Sequence, residues 1–318
     1  MRVREMVEEA RKRLLIVAGR DASGAGVAAD LAAVSALAVD AIAIVTAETD
    51  QDAKEVRSIG ARDPREWGSE AREAVRDGVA AVKFGLLPGV LHVREASALA
   101  REIQRRASEG QRRGSEGQRR GSEARQRGSE EERRVSGGSR RGSEGERRTS
   151  EGPQRARPEV AIVVDPVIRA SSGGLFLDAA AVELLRGELV AAGVVLTPNL
   201  SEAAELACVP VRELESSCAA RLEAARMLLA LGAAGVVIKG GHGSENPVRD
   251  LVAKADGSYR WLEHPRSKGP GIRGSGCRFA SRLAAALALG RTLEEAAEEA
   301  GGFVAGEIER AAGGGARG

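Results

Sequence analysis

Short apolar runs alternate with amphipathic stretches along most of this chain. LLIVA (Leu14–Ala18), AIAIVT (Ala41–Thr46), AAVKF (Ala80–Phe84), VAIVVD (Val160–Asp165), VVLT (Val194–Thr197) and VVIK (Val236–Lys239) each read as a buried strand. Between them lie helical patterns such as Ala28–Leu37. Two shorter strands, Asp250–Ala255 and Tyr259–Glu263, flank a DG step that suits a tight hairpin. The chain then reads as two helices, Gly276–Leu289 and Thr292–Ala311. Strands alternating with helices predict a three-layer α/β fold, with a mostly parallel central sheet and helices on both faces. In such a sheet ligands bind beyond the carboxyl ends of the strands, so functional residues are expected just after them.

One segment breaks the alternation. Ser-Glu recurs at Ser108, Ser115, Ser122, Ser129, Ser143 and Ser150, giving a seven-residue unit of Arg, Gly, Ser and Glu. A coiled coil would need an apolar seam, and this repeat has none to bury. Residues 105–157 are therefore expected to be a disordered low-complexity insertion in a single domain spanning 1–318. The insertion holds 16 Arg against 9 Glu, so the formal net charge of +2 hides a net negative remainder, and a nucleic-acid face is not expected.

Composition narrows the class further. Hydrophobic residues make up 42% and aromatics 2%, so the core must be built from Ala, Val, Leu and Ile. Cys208, Cys218 and Cys277 are odd in number and lack metal-type spacing, which points to reduced thiols and a cytoplasmic protein. The run Leu14–Ala18 is too short for a signal-peptide core, and Asp30 and Asp40 interrupt the apolar stretch 27–47, so no membrane association is expected.

The strand ends carry the candidate chemistry. After the first strand, AGRDASGAG offers glycines at 19, 24 and 26 beside Asp21 and Ser23, enough for a tight turn open to a ligand. TAETDQD after the second strand includes Gln51, whose carboxamide both donates and accepts. Asp165 ends the fourth strand as a metal ligand or a helix cap. Asn199 and Glu202 lie three apart, the spacing of a capping box and equally of a pair steering Mg²⁺ and water. Lys239, Gly240 and Gly241 offer a cation and two unhindered amides for a polyphosphate, without the Walker pattern.

The last motif is GSGC, Gly274–Cys277. Its glycines turn backbone amides inward at the start of a helix, which suits an oxyanion in transit. A thiol there is expected to have a lowered pKa and to accept a proton from an attacking hydroxyl; the plainer reading is a small side chain packing the helix start.

Taken in order, VAGRDASGAGVAADL, TAETDQD, VKFGLL, VVDPVIRASSGG, TPNLSEA, VIKGGH and GSGC resemble the hydroxymethylpyrimidine/phosphomethylpyrimidine kinases of thiamine biosynthesis, members of the ribokinase-like superfamily. The resemblance implies phosphorylation of 4-amino-5-hydroxymethyl-2-methylpyrimidine and then its monophosphate, with ATP and Mg²⁺, by a homodimer. It implies that Gln51 reads the pyrimidine, with Gly19 and Asp30 lining that pocket. Asn199, Glu202, Lys239 and Gly241 would serve ATP, and Asp165 and Glu202 the metal. Gly274, Ser275, Gly276 and Cys277 would form the anion hole with its base. The first loop lacks the family's proline and one glycine, Gly271–Arg273 replace its Asn-Thr-His, and Ser171 stands where a lysine is common.

Overall fold

The computed structural model describes residues 11–51, 55–109, 160–170, 173–241, 243, 245–267 and 271–314. The strands are β1 (Lys12–Asp21), β2 (Val39–Gln51), β3 (Val56–Ala61), β4 (Ala81–Phe84), β5 (Ala161–Val164), β6 (Val195–Leu196), β7 (Gly235–Ile238), β8 (Val248–Lys254) and β9 (Tyr259–His264). They form one sheet in the order β3-β2-β1-β4-β5-β6-β7-β8-β9. The pairings from β2 to β7 are parallel, whereas β3, β8 and β9 extend the two edges antiparallel.

Alternation along the central strands builds the two sides of the core. Leu14, Ile16 and Ala18 of β1 point into one cluster, completed by Val163, Val237 and the alanine-rich face of α8 (Ser275–Ala288), with α1 (Val27–Val34) and α9 (Leu293–Gly314). Leu15 and Val17 point to the other side, with Val82, Phe84 and Val164. That side is covered by α2 (Pro64–Arg76), α3 (residues 90–109), α4 (Ala179–Leu184), α5 (Leu200–Ala207), α6 (Val211–Ser216) and α7 (Cys218–Ala230). A strand buried on both faces has no polar side to show, which is why these runs read as continuous apolar segments.

Two expectations about extent change. The run TAETDQ, residues 46–51, is strand, not loop: Ala47, Thr49 and Gln51 are turned inward to some degree while Glu48 and Asp50 are exposed, a period of two written in mostly polar residues. This extension has ladder partners on both sides, since β1 runs on to Asp21 and β3 pairs antiparallel through Gln51↔Val56. The second change is that α3 continues to residue 109, so the first residues of the segment expected to be an insertion are helical. Contacts divide the chain into a unit of residues 1–103 with 160–318, which carries the sheet, and a unit of 104–159. The latter is described only at its start, where Ser108 Oγ donates to the Gln104 carbonyl at 3.0 Å. The rest of the 105–157 expectation, and Ser171, lie outside the described residues.

Candidate active site

A cavity of about 780 Å³ opens at the carboxyl ends of the parallel strands. Its walls bring together Gly19 and Asp21 from the end of β1, Gln51 from β2, Asp165 after β5, Asn199 and Glu202 after β6, Lys239 after β7, and Gly274–Cys277 at the start of α8. Gln51 and the α8 start thus face one space.

The Gln51 corner is fixed by Asp21. Thr49 Oγ1 donates to Asp21 Oδ2 at 2.7 Å, the Ser23 amide donates to Oδ1 at 2.9 Å, and Gln51 donates to the same carboxylate. Burial pushes against the Asp21 charge, but these donors prevail and hold its carboxyl below the usual carboxylate range. Anchored by its N–H, Gln51 is oriented rather than free to rotate. Gly26, at φ 64°, closes the loop so tightly that a Cβ would lie 2.1 Å from the Gly19 carbonyl oxygen.

At the other end, Gly274 begins α8 at φ 72°, where a Cβ would meet Ala29 at 3.0 Å and Ala25 at 3.3 Å. No side chain caps this helix, so its first amides remain directed at the cavity with the positive end of the dipole behind them. Lys239 Nζ lies 3.2 Å from Asp165 Oδ1 and 5.8 Å from the centre of the Phe279 ring. Burial disfavours the Lys239 ammonium, yet Asp165 and Glu202 raise its pKa overall. A Cβ on Gly276 would sit 3.4 Å from that nitrogen and 3.5 Å from Asp165 Oδ2, so the glycine keeps the cradle open.

The thiol behaves contrary to expectation. Burial pushes Cys277 up to about 12; Lys83 pulls the other way, and Asp30 and Asp165 add to the rise. The helix start therefore does not yield a ready thiolate, because two carboxylates and desolvation outweigh one lysine and the Gly26 amide.

Asn199 and Glu202 satisfy both readings of their spacing. The Asn199 amide donates to Glu202 Oε2 at 2.8 Å and the Glu202 amide to Asn199 Oδ1 at 2.9 Å, a full capping box, yet both residues line the cavity. Burial raises Glu202 to about 8, opposed by Lys239 and reinforced by Asp165. Two neighbouring carboxylates, one of which raises the proton affinity of the other, fit a divalent cation that also binds phosphate oxygens and water. Among the described residues no group of three or more His, Cys, Asp or Glu is arranged to hold a metal alone.

The sequence profile described as phosphomethylpyrimidine kinase matches residues 21–107 and 153–317. The chain belongs to the phosphomethylpyrimidine kinase family. Its sequence is 29% identical over 298 residues to the hydroxymethylpyrimidine/phosphomethylpyrimidine kinase of Streptomyces coelicolor, covering 93% of this chain and 88% of that protein. It is 35% identical over 155 residues to the Haemophilus influenzae enzyme of the same name, covering 48% of this chain and 56% of that protein, so this match spans only about half of that relative's length. In structure it is similar to Bacillus subtilis pyridoxal kinase, solved as an ADP complex, with a TM-score of 0.68, 23% identity and coverage of 94% of this chain and 92% of that one. Identity that low speaks for the fold only.

Within this phosphomethylpyrimidine kinase family member, Gly19, Gln51, Asp165, Asn199, Glu202, Lys239, Gly241, Gly274, Ser275, Gly276 and Cys277 all reach the cavity. Asp30 is not among the residues lining it. Its oxygens lie 2.9 and 3.0 Å from Lys83 Nζ, and Ser281 Oγ donates to it at 2.8 Å, all three side chains being fully buried. A carboxylate on the inward face of α1 needs a countercharge, and β4 supplies it. The amide of Gly240 is likewise not available to a ligand, since it donates to Asp250 Oδ1 at 2.7 Å. The sequence reading missed the structural roles of Asp21, Lys83, Asp250 and His264. Asp21 showed only as a polar neighbour of the first loop's glycines, and Lys83 as the lone charge in an apolar strand.

No helix among the described residues is long and apolar enough to cross a membrane.

Proposed function

We propose that this chain transfers the γ-phosphoryl group of ATP to the hydroxymethyl group of 4-amino-5-hydroxymethyl-2-methylpyrimidine, and then phosphorylates the resulting monophosphate. The observation that carries the reading is that an anchored carboxamide, Gln51, and an uncapped helix start, Gly274–Cys277, share one cavity.

Gln51, steadied by Asp21, pairs with the amino group and ring nitrogen of the pyrimidine. Amides of Ser275, Gly276 and Cys277 stabilise negative charge on the migrating group, and Lys239 adds a cation to the same spot. Asp165 and Glu202 would hold Mg²⁺, which supplies charge neutralisation to the phosphates when bound. Because the transition state is loose, attack does not require a preformed alkoxide. Cys277 accordingly orients the hydroxyl, and its thiolate, the form able to take the proton, becomes more populated as pH rises. A homodimer accords with the family likeness and is testable by light scattering.

The experiment is a coupled assay of ATP consumption with the pyrimidine alcohol and, separately, with pyridoxal. Turnover with the pyrimidine and little with pyridoxal is expected. Turnover with pyridoxal alone would move the assignment to a pyridoxal-type kinase, and binding of the pyrimidine without ATP consumption would make the chain a non-catalytic relative.

A further inference from the structure

The segment leading into the α8 start is held by a side chain outside the cavity. Arg278 stands on α8 directly after Cys277 and, unlike Arg273 and Gly274, is not among the residues lining the cavity. Side chains on a helix lean towards its N-terminus, so Arg278 reaches back over the residues that precede α8. Its Nη1 donates to the Arg273 carbonyl at 2.7 Å, and its backbone N–H donates to the Gly274 carbonyl at 2.9 Å. A Cβ on Gly274 would meet the same Nη1 at 3.2 Å.

The side-chain bond fixes the peptide unit between Arg273 and Gly274. That peptide is trans, so its C=O and N–H point in opposite directions. With the carbonyl drawn to Arg278, the Gly274 N–H is turned the other way, and among the described residues it has no acceptor. A glycine lets such a peptide rotate at little cost, and rotation would bring a carbonyl oxygen towards the place meant for a phosphoryl oxygen.

Stability does not account for Arg278. Its side chain is 17% exposed, its Nε is buried without a hydrogen-bond partner, and its ion pair with Glu307 Oε2 of α9 is long, at 3.9 Å. Replacing so incompletely paired an ion by a well-packed apolar side chain is often neutral or stabilising. One turn further along α8, Arg282 Nε donates to Glu299 Oε1 at 2.9 Å and its guanidinium lies 4.9 Å over the Phe303 ring. Glu299, Phe303 and Glu307, four residues apart on α9, thus back the face of α8 that carries both arginines.

We propose that Arg278 is a positioning residue for phosphoryl transfer: by engaging the Arg273 carbonyl it keeps the 273–274 peptide with its N–H towards the migrating group and its oxygen away from it. The assignment rests on the kinase reading above.

Steady-state kinetics of Arg278→Met with ATP and the pyrimidine alcohol test the proposal, together with calorimetry of two probes. The first probe is Mg·ADP; the second is Mg·ADP with aluminium fluoride and the pyrimidine, which mimics the phosphoryl group in flight. In Arg278→Met kcat should fall about 100-fold while the KM for either substrate stays within about threefold, the mark of a contact felt only in the transition state. Mg·ADP should bind as it does to wild type, and the aluminium fluoride complex about 100-fold more weakly. Arg278→Lys, which keeps a donor for the Arg273 carbonyl, should recover part of the lost kcat. Unchanged kcat in Arg278→Met would overturn the assignment, as would equal losses of affinity for the two probes, since a general distortion of the site weakens both. Should Arg278→Met fail to fold, Arg278→Lys carries the same comparison, with an expected fall in kcat of about tenfold and the same overturning results. Absence of pyrimidine turnover by the wild type would instead overturn the kinase reading and this assignment with it.

Discussion

Replacing Lys83 by Met should cost far more than the loss of one hydrogen-bonded pair. Lys83 Nζ lies 2.9 and 3.0 Å from the two oxygens of Asp30, and neither side chain is exposed at all. Burial alone would lower the Lys83 pKa, yet Asp30, with Cys277 and Asp165, raises it, so the lysine is charged. Without it Asp30 would keep only the Ser281 hydroxyl, and an uncompensated buried charge costs about 3–5 kcal/mol. Asp30→Asn together with Lys83→Met removes both charges, and the double variant should lie within about 2 kcal/mol of wild type. Guanidinium unfolding of the two single variants and the double variant at pH 7 completes the cycle. Because Asp30 sits on α1 and Ser281 on α8, turnover in Lys83→Met should fall beyond what instability explains. A cost for Lys83→Met under about 1 kcal/mol, or strictly additive single costs, would refute the view of the pair as one coupled unit seating α8.

Other expectations concern the cavity itself. Gly276→Ala places a methyl 3.4 Å from Lys239 Nζ, an ordinary contact, so melting should change by less than about 1 kcal/mol while the KM for ATP rises about tenfold; an unchanged KM would remove Gly276 from the phosphate cradle. Cys277→Ala should lower kcat by about 100-fold with little change in stability, and equal kcat would exclude any role for the thiol in the reaction. Glu202 is raised from 4.5 to about 8 in the folded chain, so the native state binds more protons than the unfolded one between those values. Its contribution to stability is full below pH 4.5 and is lost as pH rises through 8. Glu202→Gln should flatten that fall in the unliganded protein, and an unaltered pH profile in denaturant unfolding would show that Glu202 titrates normally.

The sheet was legible because its central strands are buried on both faces, and a fully apolar run bounded by turn residues leaves few alternatives. The extension of β2 through Gln51 was not, since its inward residues are only Ala, Thr and Gln and its partner β3 is almost wholly exposed. Local polarity there reports a ligand-facing edge rather than a loop. Most candidate site residues were legible from their position after strands, a consequence of topology. Their electrostatics were not. The countercharge of Asp30 lies 53 residues away on β4, and the carboxylates that raise Cys277 come from α1 and the end of β5. Gly240 presents the same difficulty on a smaller scale: GG reads as two open amides, and only the return of β8 beside β7 reveals that Asp250 takes one of them.

The most direct test of the account is identification of the products by mass spectrometry after incubation with ATP, Mg²⁺ and 4-amino-5-hydroxymethyl-2-methylpyrimidine. The account predicts the pyrimidine monophosphate followed by its diphosphate, formed together with ADP. Formation of ADP with the pyrimidine recovered unmodified would contradict it.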